Sequence, residues 1–185
     1  MSNWIAPLIA AALGLYIAIA FNRLVRARQM AREGWSGIDV QLKRRSDLVL
    51  NLVDSVKGYA AHERDVLAEV TQLRGAARAL PTDAIGQRAA AEGALTLALN
   101  KLIALSEAYP DLKASGNFLK LQQQLSDMEN ELQMARRYYN GAARNLNILV
   151  ESFPSNLIAR PFGFRNADFF ELNNAADRAV PAVAL

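Results

Sequence analysis

The chain has 185 residues, 52% of them apolar and 21% charged, which is enough for one folded domain and excludes an intrinsically disordered chain. It contains no cysteine, so disulfides, thiolate catalysis and cysteine-ligated metal centres are excluded within the chain. The net charge of +3 is uneven, because residues 1–22 carry no charged side chain, residues 23–45 sum to +5 and the rest to −2. A basic block directly after an uncharged apolar block is typical of membrane proteins more than of nucleic-acid-binding proteins.

The first predicted element is a membrane-spanning helix. Residues 5–21 lack any charged side chain, and together with their apolar neighbours they reach the roughly 20 residues that a bilayer core requires. Pro7 falls in the first helical turn, where a missing N–H group is harmless. The side chains predicted to contact the membrane are Trp4, Ile5, Leu8, Leu13, Tyr16 and Phe21.

Two other interpretations of this stretch are weaker. The sequence AIAF at residues 18–21 resembles a signal-peptide cleavage site, but no basic segment precedes the apolar run. A buried core helix fits poorly with the arginines that follow at once. Since these arginines all lie after the apolar run, the positive-inside rule predicts a body in the cytoplasm, with Arg23, Arg26 and Arg28 at the lipid headgroups.

A long helix is predicted after the membrane span. From residue 21 to residue 80, apolar side chains recur at steps of three and four, and only Arg28, Arg45 and Glu63 interrupt them. This 3.5-residue period predicts that the membrane helix continues without a break, with coiled-coil-like packing, until Pro81.

Two further helices are predicted, over residues 82–109 and from near Ser115 to Pro154, and each ends at a proline. The third keeps the same three-and-four step throughout. No alternating strand pattern occurs, so the predicted fold class is all-α. It consists of an N-terminal transmembrane helix that continues into an antiparallel bundle of long coiled-coil-like helices.

The segment SFPSNLIARPFGF, residues 152–164, is apolar but contains two prolines and a glycine, too many breaks for one helix. Ser155 or Asn156 is predicted to cap a short helical turn, and Gly163 to adopt a backbone conformation that a side chain would resist. We expect residues 153–172, here called the strap, to fold back over the bundle and close its end. The alternative is an exposed apolar patch that binds a neighbouring subunit, a partner or lipid.

Catalytic and metal-binding motifs give little support to an enzyme. HERDV at residues 62–66 begins like the zinc motif HExxH, but Val66 occupies the second histidine position and His62 is the only histidine. Glu63 is expected to pair with a base across the bundle. We therefore predict no catalytic residue, no metal ligand and no cofactor.

The stretch QLKRRSDL, residues 41–48, is the most charged part of the first helix. It reads either as a solvated face or as a polar seam in which Arg45 must find a carboxylate or a partner protein. Nucleic acid is not a predicted partner, because the basic residues lack interleaved aromatics. The candidate interaction surface comprises Trp35, Asp39, Lys43, Arg44, Arg45, Phe153, Asn156, Phe162 and Phe164.

Two stretches, AREGWSGIDVQLKRRSDLVLNLVDSVKGYAAHERDVLAEV (31–70) and ARRYYNGAARNLNILVESFPSNLIARPFGFRNADFF (135–170), resemble the LemA family of bacterial membrane proteins. The order and spacing of the matching residues extend over most of residues 23–172. The chain departs from the family pattern at Leu50, where proline is expected, at Leu146, where phenylalanine is expected, and at the unusual Gly37.

The resemblance implies a single N-terminal membrane helix, an antiparallel helical bundle and no accepted enzymatic activity. Family members are linked to membrane metalloproteases and envelope functions, and one relative works in magnetosome formation. The predicted organisation is an anchor at 1–26, a bundle domain at 27–172 that includes the strap, and a flexible tail at 173–185. The predicted function is a non-enzymatic scaffold or adaptor at the bacterial inner membrane that binds membrane lipids and either assembles into a homo-oligomer or holds partners. The alternative is a regulatory subunit of a membrane metalloprotease.

Overall fold

A computed structural model describes residues 4–60 and 62–171, and within these ranges the chain is helical and contains no strand. This confirms the predicted fold class. The predicted tail at 173–185 lies outside the described residues. The helices, in chain order, are α1 Ile5–Lys57, α2 Arg64–Ala79, α3 Ile85–Ser106, α4 Pro110–Lys113, α5 Gly116–Glu151 and α6 Asn156–Ala159.

The first helix is shorter than predicted. It ends at Lys57 and is followed by a turn, so the prediction of one unbroken helix to Pro81 is wrong. Gly58 has a low helix propensity, and beyond it α2 runs back along α1, where Arg74 Nε donates to the Ser46 carbonyl at 2.6 Å. The apolar stripe is therefore buried within the chain itself. A straight helix would need another protein chain to cover the same stripe.

The chain divides into two compact units, and α1 and α5 each contribute to both. Within the described residues, unit 2 comprises Asp39–Gln133 together with Phe170 and Glu171. Its helical segments alternate in direction and enclose a core of leucine, valine and phenylalanine side chains. Fully buried members of this core include Val49, Val56, Val70, Leu102, Leu112 and Phe118. This is the interior that the predicted three-and-four pattern specifies.

Unit 1 comprises residues up to Ile38 and Met134–Phe169. Here α1 and α5 pack as an antiparallel pair through small side chains, with Ala27 and Ala31 of α1 against Ala142 and Leu146 of α5. At Gly34 an added Cβ would lie 3.0 Å from the Tyr139 Cα, so the two backbones approach closely only because this residue is glycine.

Candidate membrane and interaction surfaces

The N-terminal part of α1 is an exposed apolar surface. Every residue from Trp4 to Ile19 is exposed and uncharged, and the first buried residue is Ala20. Among the described residues this is the one helix long and apolar enough to cross a membrane, with a mean hydropathy of 2.0. The predicted membrane residues Trp4, Ile5, Leu8, Leu13 and Tyr16 all lie on this surface.

Phe21, also predicted to contact the membrane, is half-buried by the chain itself. Its ring makes edge-to-face contacts with Phe162 and Phe164, at centroid distances of 5.0 and 5.8 Å. Of the predicted basic flank, Arg23 and Arg26 are exposed, whereas Arg28 lies over the Phe164 ring at 4.6 Å. The flank therefore divides into two solvated arginines and one that binds the strap.

The beginning of the strap is a helical turn, as predicted. Helix α6 follows Ser155, but the Ser155 hydroxyl makes no cap on α6 and instead donates toward the Leu149 carbonyl at 2.7 Å. The predicted N-cap therefore satisfies the carboxyl end of α5, whose last carbonyls lack helical partners. Gly163 has φ of +70°, which confirms the expected special conformation.

The strap has a buried face and an exposed face. Ile158, Ala159 and Phe164 are buried against Ala20 and Leu24 of α1. Phe153, Leu157 and Phe162, in contrast, keep 80%, 63% and 57% of their surface exposed. The segment therefore packs onto its own chain, as the strap interpretation predicts, and also presents an exposed apolar patch; binding of a subunit, a partner or lipid by this patch stays a prediction.

Two side chains of α5 hold the last part of the strap by hydrogen bonds to its backbone. Asn147 pairs with Ala167 twice, donating to its carbonyl at 3.0 Å and accepting from its N–H at 2.8 Å. The Tyr139 hydroxyl donates to the Asp168 carbonyl at 2.6 Å. Burial, together with the negative charge of Asp168, raises the pKa of Tyr139 to about 12.

A buried polar cluster lies within unit 2. The Arg45 guanidinium is 3.1 Å from a carboxylate oxygen of Glu92, 2.6 Å from the Thr96 hydroxyl and 3.5 Å from a carboxylate oxygen of Glu129. Burial raises the pKa of Glu92, and the positive charge of Arg45 opposes that shift. Of the two readings of QLKRRSDL, the polar seam therefore holds for Arg45, and its carboxylate comes from the same chain.

The structure divides the predicted interaction surface. Arg45 and Phe164 are 2% and 5% exposed, so their assignment to a binding surface is wrong, because each is covered by its own chain. Lys43, Arg44 and the strap residues Phe153 and Phe162 are exposed. The remaining three are partly covered: Trp35, whose ring centre is 5.5 Å from that of Tyr139; Asp39, whose carboxylate accepts from Arg88 at 2.7 Å; and Asn156.

Glu92 and Thr96 were missed by the sequence analysis. They lie three residues before and one residue after Leu95, on or beside the apolar face of α3, and Glu92 is buried there. The available signal was one charged residue of each sign within an apolar stripe: Arg45 in α1 and Glu92 in α3. Each charge needs a buried partner, and the two could have been paired on that ground. The predicted base for Glu63 was also wrong, since its carboxylate accepts from the Tyr109 hydroxyl at 3.1 Å.

Over the described residues, a helical fold with one exposed apolar helix is typical of a membrane-associated helical protein. The sequence model of the LemA family matches residues 34–185, and the chain belongs to this family. It is 28% identical to Protein LemA of Metamycoplasma hominis, over 81% of this chain and 68% of the relative.

Other relatives are named as magnetosome proteins. The chain is 25% identical to Magnetosome protein MamQ 2 of Paramagnetospirillum magneticum and 22% identical to Magnetosome protein MamQ of Magnetospirillum gryphiswaldense. Each match covers 89% of this chain and 69% of the relative.

Proposed function

We propose that this protein is a single-pass, membrane-anchored helical scaffold or adaptor without enzymatic activity, whose body lies in the cytoplasm at the bacterial inner membrane. The observation that carries the proposal is the uncharged, exposed surface of α1 from Trp4 to Ile19. Water is a poor solvent for a continuous apolar surface of this size, and a soluble monomer rarely exposes one. A bilayer covers such a helix on all sides, and the helix then leads directly into the folded body.

A scaffold is favoured because the buried charges of unit 2 are bound to one another. The Arg45 guanidinium contacts the side chains of Glu92, Thr96 and Glu129, which leaves this cluster engaged inside the protein. Such a cluster stabilises or specifies packing, whereas a catalytic group must face a substrate. Exposed charges such as Lys43 and Arg44 belong to the part of the predicted surface that is available to a partner or a second copy.

Orientation is tested by labelling single cysteines in a chain that has none of its own. We expect an exposed body residue, in the variant Met134→Cys, to react with a membrane-impermeant maleimide only after the inner membrane is permeabilised. The expectation rests on Arg23 and Arg26, which favour the cytoplasmic side. Labelling of Met134→Cys in intact spheroplasts would place the body outside and overturn the proposed orientation.

Assembly is tested by the mass of the complex purified in mild detergent. We expect a multiple of the 20.3 kDa chain mass, and a lower multiple when Lys43→Glu and Arg44→Glu are combined. The matched control combines Lys101→Glu and Lys113→Glu, two exposed cations elsewhere in unit 2, and should assemble like the wild type. A stoichiometric protease in the purified complex would instead favour the regulatory-subunit alternative.

A further inference from the structure

We propose that the exposed face of the strap, formed by Phe153, Leu157 and Phe162, inserts into the lipid interface of the same membrane that α1 crosses. This inference rests on the membrane anchor of the proposed function and assigns a second, independent contact with lipid. The protein would then meet the bilayer through one helix that spans it and one apolar segment that lies in its surface.

The position of the strap on α1 is the first argument. The exposed apolar run of α1 ends at Ile19, and the Phe162 ring packs edge-on against Phe21, with 5.0 Å between ring centres. Phe164 then contacts both Phe21 and Arg28, farther from the span. Phe162, on the exposed face of the strap, therefore lies within two residues of the end of the exposed apolar run, through its contact with Phe21.

The length of the span is the second argument. The exposed run Trp4–Ile19 contains sixteen residues, which rise about 24 Å at 1.5 Å per residue. The hydrocarbon core of a bilayer is about 30 Å thick, so this surface falls short by roughly 6 Å, or one helical turn. The turn of α1 that follows is partly covered by the strap, and the exposed side chain of Phe162, which contacts Phe21, supplies apolar surface at that depth.

Charge is the third argument. Arg160 and Arg165, on either side of Phe162 in the strap, are exposed, as are Arg23 and Arg26 on α1. Aromatic side chains flanked by arginines suit the boundary between acyl chains and anionic headgroups, where the ring is buried and the guanidinium reaches the phosphate. A protein partner would need to bring its own apolar and acidic surface to the same place.

The test measures where each side chain lies in the full-length protein, reconstituted into vesicles of phosphatidylethanolamine and phosphatidylglycerol. Single cysteines replace Phe162, Leu13 and Met134 in separate variants, and each carries the same environment-sensitive fluorophore. Leu13 reports the span, and Met134, 61% exposed on the same unit, is the matched apolar control. Emission is challenged with nitroxide-bearing lipids and with aqueous iodide.

We expect the Leu13 and Phe162 labels to emit at short wavelength and to lose fluorescence to nitroxide lipids, while the Met134 label loses it to iodide. A Phe162 label quenched by iodide, or shielded from both quenchers as under a second protein chain, would overturn the proposal while the Leu13 result upholds the anchor. Lipid quenching at Met134 equal to that at Phe162 would also overturn it, because the contact would then be nonspecific. A Leu13 label outside the lipid would overturn the anchor and this inference together.

The same measurement on Leu157→Cys and Phe153→Cys protects the test against a poorly folding Phe162 variant. Both side chains are exposed, so their replacement removes little packing inside the protein. The proposal requires lipid quenching at Leu157, and iodide quenching there would contradict it.

Discussion

The two units of this chain pack their helices by different means. Unit 2 fills its interior with leucine, valine and phenylalanine and also buries the ion pair Arg45–Glu92. Unit 1 brings α1 and α5 together through alanine and glycine, and polar side chains of α5 hold the strap by its backbone. Small side chains let helices approach closely but bury little apolar area. In unit 1, hydrogen bonds therefore hold the strap in place, and larger apolar side chains stay at the surface.

The largest expected loss of stability comes from removing one partner of the buried ion pair in unit 2. Glu92→Leu leaves the Arg45 guanidinium buried with only the Glu129 carboxylate at 3.5 Å, and arginine cannot release its charge. We expect a loss of about 3–5 kcal/mol, measured by circular dichroism during unfolding in mild detergent. Arg45→Leu should cost less, because the pKa of Glu92 is already raised and its carboxyl group can take up a proton. The double variant should recover much of the loss.

The matched control for this prediction is Arg44→Leu, one residue away. Arg44 is exposed, and its 3.4 Å pair with Glu131 is solvated, so its loss should cost about 0–1 kcal/mol. Equal effects of Glu92→Leu and Arg44→Leu would show that burial does not distinguish the two ion pairs.

The next effect tests the hydrogen-bonded closure of unit 1. Asn147→Ala removes both hydrogen bonds to Ala167, and we expect a loss of about 1–3 kcal/mol, with faster hydrogen exchange of the Ala167 amide. Asn145→Ala makes the same chemical change at an exposed site on the same helix and should leave both quantities near the wild-type values. Slow exchange at Ala167 in the Asn147 variant would mean that other contacts hold the strap.

Two glycine-to-alanine variants, with smaller stability changes of opposite sign, test the close approach of α1 and α5. Gly34→Ala places a Cβ 3.0 Å from the Tyr139 Cα. This overpacking costs about 1–3 kcal/mol, which should exceed the roughly 1 kcal/mol that alanine gains in helix propensity, so the variant should be destabilised. At Gly37 nothing lies within 4 Å of the added Cβ, so Gly37→Ala should stabilise the chain by up to about 1 kcal/mol. Thermal unfolding of the two variants gives the signs, and stabilisation by both would contradict the close approach.

The last prediction concerns the Tyr139 hydroxyl of unit 1, which should lose its proton at a higher pH than an ordinary tyrosine. Burial raises the pKa of Tyr139 to about 12, so its contribution to stability is fully present below pH 10 and is lost as the pH rises through about 12. Ultraviolet titration of tyrosinate should contain an ionisation step near pH 12, and Tyr139→Phe should remove that step. A Tyr139→Phe titration identical to the wild type would refute the assignment.

The sequence specified the apolar stripes well but not how they fold on one another. The stripe of the third predicted helix is buried or half-buried in α5, apart from Phe153, because a three-and-four period fixes which face turns inward. The break after Lys57 could not be predicted, since the apolar positions Val56, Tyr59 and Val66 keep the register of the stripe through it. A continuous helix and a helix that reverses on itself bury the same stripe, and periodicity alone does not separate them.

The candidate surfaces were predictable in part for a related reason. The apolar run of α1 is a local property, and the exposed helix follows from it directly. Arg45 was recognised as out of place in its stripe, but Glu92 lies 47 residues away on α3, and their pairing depends on a register that only the folded unit sets. In the strap, the sequence indicated apolar character, while the division between Ile158 inside and Leu157 outside is decided by packing on Leu24.

Unit 1 is built from two segments that lie far apart in the chain, and this sets an order of events during synthesis. Its α1 segment leaves the ribosome first, and its α5 segment follows only after Asp39–Gln133, roughly 95 residues that take about 5–20 s to translate. Contacts within unit 2 are closer in sequence and close smaller loops, so we expect them to form earlier. A nascent chain arrested before Met134 should therefore protect α3 from protease while leaving Ala27 and Ala31 accessible, and protection of both would refute this order.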